Sequence, residues 1–146
     1  EMGNQEEALP LYEEALAAQR ETLGDRHPST LTSINNMAAF FRDKGDYLES
    51  RCLFEEVVAA TREILGDHHP NTLHHMNGMA RLFHKEGNLE ESRLLFEDVL
   101  AARREVLGGQ HPNTVITMEW LLEVFRDMDN EDEASKLETE LSSVSK

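Results

Sequence analysis

The stretch Leu23-Gly24-Asp25-Arg26-His27-Pro28-Ser29-Thr30-Leu31 decides the fold, because it comes back twice. It returns as Leu65-Gly66-Asp67-His68-His69-Pro70-Asn71-Thr72-Leu73 and again as Leu107-Gly108-Gly109-Gln110-His111-Pro112-Asn113-Thr114-Val115. The three copies stand 42 residues apart. A fixed period of about 20–50 residues marks a repeat array, in which each unit buries its apolar face only against its neighbours. Residues 23–64 and 65–106 agree at 23 of 42 positions, more than a shared helical composition would produce.

Each copy reads as punctuation between two helices. Gly24, Gly66 and Gly108 stop the helix before. Pro28, Pro70 and Pro112 open the next, since a proline in the first turn lacks only an N–H that the helix cannot pair anyway. His27, His69 and His111 recur beside that turn, which points to a structural role at the start of the helix.

Outward from these linkers, helical spacing of apolar residues predicts the elements. Ile34, Met37, Ala38 and Phe41 mark a helix from Pro28 to the Gly45 turn. Tyr47, Ser50, Phe54, Val57 and Val58 mark the next, capped by Asp46 and running to about Leu65. Met76, Met79, Ala80 and Phe83 lie on a helix from Pro70 to about Glu86. Leu89, Ser92, Phe96, Val99 and Leu100 lie on one capped by Asn88 and ending near Leu107. Met118, Leu121, Leu122 and Phe125 lie on one from Pro112 to about Met128.

Upstream, residues 4–23 read as a helix with Asn4 as N-cap, Glu6 and Glu7 in the first turn, and Ala8, Leu11, Tyr12, Ala15 and Leu16 as its stripe, bent by Pro10. Downstream, Asp129 replaces the turn glycine. The last helix, about Glu131 to Val144, keeps only Ala134, Leu137 and Leu141, as an array terminus with a polar outer face would. The expectation is one all-α array over 1–146. Its parts are the second helix of a partial repeat at 4–23, repeats at 28–65 and 70–107, and a terminal repeat at 112–144.

The chain carries 29 acidic and 14 basic residues, a formal net charge of −15. Nucleic acid and anionic membranes both need basic surface, so this balance argues against either partner. No apolar run approaches the ~18 residues of a membrane span. No signal-peptide pattern is visible, although Glu1 falls inside a repeat and leaves room for an upstream segment. Cys52 is the only cysteine, so no intrachain disulfide can form, which suits a reducing, cytoplasmic setting.

Small residues recur at matched repeat positions: Ala38 and Ala80 on first helices, and Ser50, Ser92 and Ala134 on second ones. Together with Gly45-Asp46-Tyr47-Leu48-Glu49-Ser50, Gly87-Asn88-Leu89-Glu90-Glu91-Ser92 and the three linkers, the pattern resembles the tetratricopeptide repeat in its 42-residue, kinesin-light-chain form. The resemblance covers the whole chain and departs from the pattern at Asp129, at Gly109 and in the thin last helix. It implies a right-handed superhelical solenoid of antiparallel helix pairs, about seven helices, whose first helices line a concave groove. It implies a protein-binding, adaptor-like or scaffolding role and not the kinesin motor, because the same repeats occur in many scaffolds.

On each first helix, the stripe opposite the core faces that groove. It holds Thr32, Asn35, Asn36, Ala39, Arg42 and Asp43 in the first unit, His74, Asn77, Gly78, Arg81, His84 and Lys85 in the second, and Ile116, Glu119, Trp120, Glu123, Arg126 and Asp127 in the third. Asn35 and Asn77 share a repeat position. The resemblance implies a clamp on an extended peptide backbone there, and one amide has the donor and acceptor for it. The same asparagines can instead bond neighbouring helices. Arg42, Arg81, His84 and Lys85 make the front of the groove basic, and Glu119, Glu123 and Asp127 make its far end acidic. A peptide with acidic residues towards the first units would match. The alternative is that these charges pair across helices, Asp43 with Lys85 for example. Trp120 is either an aromatic anchor for a ligand or filler under the last helix.

Catalytic chemistry has no foothold in this pattern. His68, His69, His74 and His75 straddle a helix start, with no nearby set to complete a tetrahedral metal site. No glycine-rich phosphate loop, nucleophile–base arrangement or paired catalytic carboxylates emerge, so no enzyme activity, cofactor or metal is expected. Two roles remain: a module holding an extended partner segment in its groove, or a structural piece that associates, with itself or with further repeats, through the open N-terminal helical end. In the second, Leu9, Tyr12 and Leu16 await cover.

Overall fold

The computed structural model describes the backbone of residues 2–144 and the side chains of residues 9–144. Seven helices follow one another among the described residues: α1 (Met2–Leu23), α2 (Pro28–Lys44), α3 (Tyr47–Leu65), α4 (Pro70–Glu86), α5 (Leu89–Leu107), α6 (Pro112–Asp127) and α7 (Glu131–Val144). They form two compact units, residues 1–60 and 61–146.

The linker explains the helix starts. The Nδ1 atoms of His27, His69 and His111 accept hydrogen bonds from the backbone N–H groups of Ser29 (3.1 Å), Asn71 (3.1 Å) and Asn113 (3.0 Å). Each histidine thus does the work of a serine or aspartate N-cap, with proline locked in the first turn behind it. A ring nitrogen that accepts is unprotonated, so the remaining N–H sits on Nε2.

The turns inside each pair are equally regular. Gly45 and Gly87 adopt φ of 96° and 87°, and the next N–H reaches back to Phe41 and Phe83 at 2.9 Å in both cases. This is the left-handed closure that favours glycine. Asp129 keeps the same turn at φ 59°, with Asn130 N–H on the Phe125 carbonyl at 2.9 Å, since aspartate tolerates this region better than most residues. The small residues at the crossing have a second use: Ser50 Oγ donates to the Ala38 carbonyl (2.7 Å) and Ser92 Oγ to that of Ala80 (2.8 Å).

Two local expectations fail. Asn4 is no cap, because α1 is already helical at Met2 and runs on through Pro10. Side chains of Glu6, Glu7 and Ala8 lie outside the described residues. Asn88 sits at the N-cap of α5 without capping it; its amide donates to Glu86 instead (3.1 Å). Asn130 does cap α7, accepting from the Glu133 N–H at 3.3 Å.

In residues 1–60 the core comprises Leu16, Leu31, Ile34, Met37, Ala38, Phe41, Phe54, Val57 and Val58. In residues 61–146 a continuous core runs from Ala80 and Phe96 through Met118, Leu121, Leu122 and Phe125 to Ala134 and Leu137. Of the residues expected to await cover on α1, Leu16 is instead buried at 6% exposure, packed into this core, whereas Tyr12, at the repeat position of the fully buried Phe54 and Phe96, is 48% exposed.

Candidate functional site

Within residues 61–146 the first helices α4 and α6 touch, and α5 packs behind both. The expected groove residues of α4 and α6 meet here. The Arg81 guanidinium lies 4.3 Å from the centre of the Trp120 ring, a cation–π contact. His84 stands edge-on to the same ring at 6.4 Å, and its Nε2 is 2.6 Å from Asp127 Oδ2. Trp120 is half-buried against the core and meets α4 through Arg81 and His84. Lys85, Glu119 and Glu123 are exposed, and Glu123 also pairs with Arg126 (3.4 Å). Of the two uses weighed for Trp120, packing and display to a ligand, this position permits both.

Behind this surface lies a network that the first-helix reading missed. Arg103 of α5 is 4% exposed. Its Nη1 donates to the Asn113 carbonyl (2.9 Å) and to Thr117 Oγ1 (2.7 Å), and the one proton of that hydroxyl is shared between the Asn113 carbonyl (3.1 Å) and Asn77 Oδ1 (3.2 Å). Asn77, itself buried, thus turns its carbonyl oxygen towards a neighbouring helix. No carboxylate pairs with Arg103 among the described residues. Burial alone holds its pKa below the ordinary arginine value. Its charge is felt nearby: crowding first, and then Arg103, hold His74 below the usual histidine range. Deeper still, His75 is buried, with an Nδ1 that has no partner and a pKa pushed down to about 4, mainly by burial and then by His74. A buried cation with no counter-ion is costly in any fold, on the order of several kcal/mol. The sequence did carry a sign of it. Arg103 continues the apolar stripe Phe96-Val99-Leu100, a place where a charge is out of order.

In residues 1–60 the corresponding first helix, α2, is plainer. Asn35 is 9% exposed, and its Oδ1 has no hydrogen-bond partner. Asn36 is exposed. Arg42 is buried at 5% exposure, 5.8 Å from the Phe54 ring centre, with Nε 3.1 Å from Asp43.

Residues 31–105 match a tetratricopeptide repeat family model, and residues 1–29 match a second tetratricopeptide repeat model. The chain belongs to the tetratricopeptide repeat family. Among solved structures it is similar to a Podosopora anserina protein described as a kinesin light chain of nearly identical TPR-like repeats. The identity is 29%, the TM-score 0.81, and the match covers 98% of this chain and 68% of that one. A substituted form of that protein gives 29%, 0.83, 97% and 67%. BtubC (BKLC) from P. vanneervenii gives a TM-score of 0.88 at 18% identity over 97% of this chain and 57% of that one, which bears on the fold alone. A search of curated proteins returns no match. As a tetratricopeptide array of the kinesin-light-chain kind, the chain is a protein-interaction repeat module of a fold that generally serves as a non-catalytic scaffold. No group of three metal-ligating side chains gathers among its described residues, and none of its described helices is long and apolar enough to cross a membrane.

Proposed function

We propose that this chain is an adaptor module that holds an extended, acidic segment of a partner protein on the face formed by α4 and α6. The observation that carries the proposal is the cationic floor there: Arg103 buried without a carboxylate, with Asn77, Thr117 and His74 around it and Arg81 held over Trp120. An incoming carboxylate would supply the missing counter-charge, and the amide N–H groups of Asn77 would bond the peptide backbone. Lys85, exposed at the end of α4, would add attraction at longer range. Within residues 1–60, α2 offers contacts of its own, Asn36 from the surface and Asn35 and Arg42 from buried positions. Glu119 and Glu123 would face basic residues further along.

The test is a titration of Trp120, the only tryptophan, with extended acidic, neutral and basic peptides. Saturable, salt-sensitive quenching by the acidic peptide alone is the expected result. Equal response to all three would refute the charge reading.

A second reading has its own observation. Leu11 and Tyr12 are 67% and 48% exposed, whereas Phe54 and Phe96, at Tyr12's repeat position, are fully buried. This open end of α1 would associate with another helix, from a second copy or from further repeats. Sedimentation at rising concentration tests it: a dimer abolished by Tyr12→Glu is expected on this reading, and a monomer throughout would remove it.

A further inference from the structure

The side of residues 61–146 away from the α4–α6 face carries an open cleft of about 300 Å³. Leu73, Met76 and Ala102 line it, all at least 95% buried. Arg62 and Asp67 stand on one side and Asp98 and Glu105, from α5, on the other. The remaining titratable group is His68, beside Asp67.

Comparison across the repeats shows why this cleft is open. Arg20, Arg62 and Arg104 share a repeat position, and so do Glu56, Asp98 and Glu140. Arg20 reaches Glu56 through bonds of 2.7 and 2.9 Å, and Arg104 reaches both oxygens of Glu140 at 2.5 Å. Each is a two-pronged bridge between neighbouring second helices. Arg62 makes no such bridge. Asp98 is one methylene shorter than glutamate, and Arg62 turns to Asp67 (3.7 Å) and to Met76 Sδ (3.7 Å). Asp98 and Glu105 are left with no ion pair or hydrogen bond among the described residues. They lie seven residues apart on α5, hence on one face and roughly 10 Å from each other.

We propose that this cleft docks a basic segment of a partner protein, distinct from the acidic segment proposed for the opposite face. The segment runs along α5, lays the aliphatic stem of an arginine or lysine on Leu73, Met76 and Ala102, and gives its cations to Asp98 and Glu105. The charge at the cleft selects this occupant, with three carboxylates against one guanidinium. A second copy of the chain is a poor fit, because its arginines are largely committed: Arg20, Arg93, Arg104 and Arg126 to carboxylates, Arg42 and Arg103 to the interior.

The experiment follows the methyl group of Met76 by NMR in protein labelled at its methionine methyls. The probes are the acetylated hexapeptide amide Ala-Arg-Ala-Ala-Arg-Ala and its glutamate counterpart. A saturable shift of Met76 with the arginine peptide alone is expected. Asp98→Glu should weaken it at least fivefold by letting Arg62 close the cleft, whereas Arg81→Ala, on the opposite face, should leave it unchanged. The proposal is overturned by a Met76 signal unmoved at millimolar peptide, by an equal shift with the glutamate peptide, or by wild-type binding in Asp98→Glu. A Met76 shift that follows protein concentration without peptide would seat a second copy in the cleft and overturn it as well.

Discussion

Arg103 and Arg104 are neighbours in sequence and opposites in setting. Arg104 is 40% exposed on the outer side of α5 and is held by both oxygens of Glu140. Arg103 is 4% exposed, meets only a carbonyl and a hydroxyl, and has no carboxylate among the described residues. Charge is neutralised where water would have screened it for nothing and left bare where desolvation is costly. Folding alone favours the reverse arrangement. The difference teaches that the exposed pair is ordinary surface, while the buried cation costs stability, the feature on which the proposed binding site rests.

The contrast can be stressed most strongly by adding charge. His75 is buried a short way along α4 and stands at the repeat position of Thr117. Its folded pKa of about 4 lies below the ordinary value of about 6.5, so the unfolded chain takes up the proton first. Its contribution to stability is complete above pH 6.5 and is lost as the pH falls towards 4. The expected loss is on the order of 3 kcal/mol. Urea midpoints at pH 7 and pH 4.5 check this, and His75→Gln should flatten the dependence. An unchanged slope in the variant would place the acid sensitivity elsewhere.

Arg103→Met comes next. It should weaken the acidic peptide by about 2 kcal/mol, roughly thirtyfold, while leaving the unfolding midpoint equal or higher. Arg81→Ala should cost about 1 kcal/mol of binding and change the Trp120 emission of the free protein, because the stacked guanidinium goes. Smallest is Arg104→Met. An exposed ion pair is worth under about 1 kcal/mol, so both peptide affinity and thermal midpoint should barely move. A large binding loss there would erase the distinction between the two arginines.

The helices were legible because their ends are written in glycine, proline and histidine, residues whose backbone and capping behaviour needs no tertiary context. At α1 the expected start at Asn4 falls two residues late, because an asparagine ahead of acidic residues can equally sit inside a helix. Asn88 misled because an asparagine before a helix need not turn its side chain onto the backbone, and Glu86 offered a charged acceptor. The site was half legible. Helical spacing placed Arg81, His84, Trp120 and Asp127 on facing helices, and they meet. Confined to first helices, it passed over Arg103, which reaches the Asn113 carbonyl and Thr117 of α6 from α5. It also could not say whether Asn77 was taken, because Thr117 is its neighbour only after α6 folds onto α4.

The most direct test of the cationic floor is the affinity ratio between wild type and Arg103→Met for one acidic extended peptide, read by Trp120 fluorescence with thermal unfolding of the same samples. At least tenfold weaker binding with no loss of stability is the expected result. Equal affinity together with a lower unfolding midpoint would contradict it and make Arg103 a structural residue.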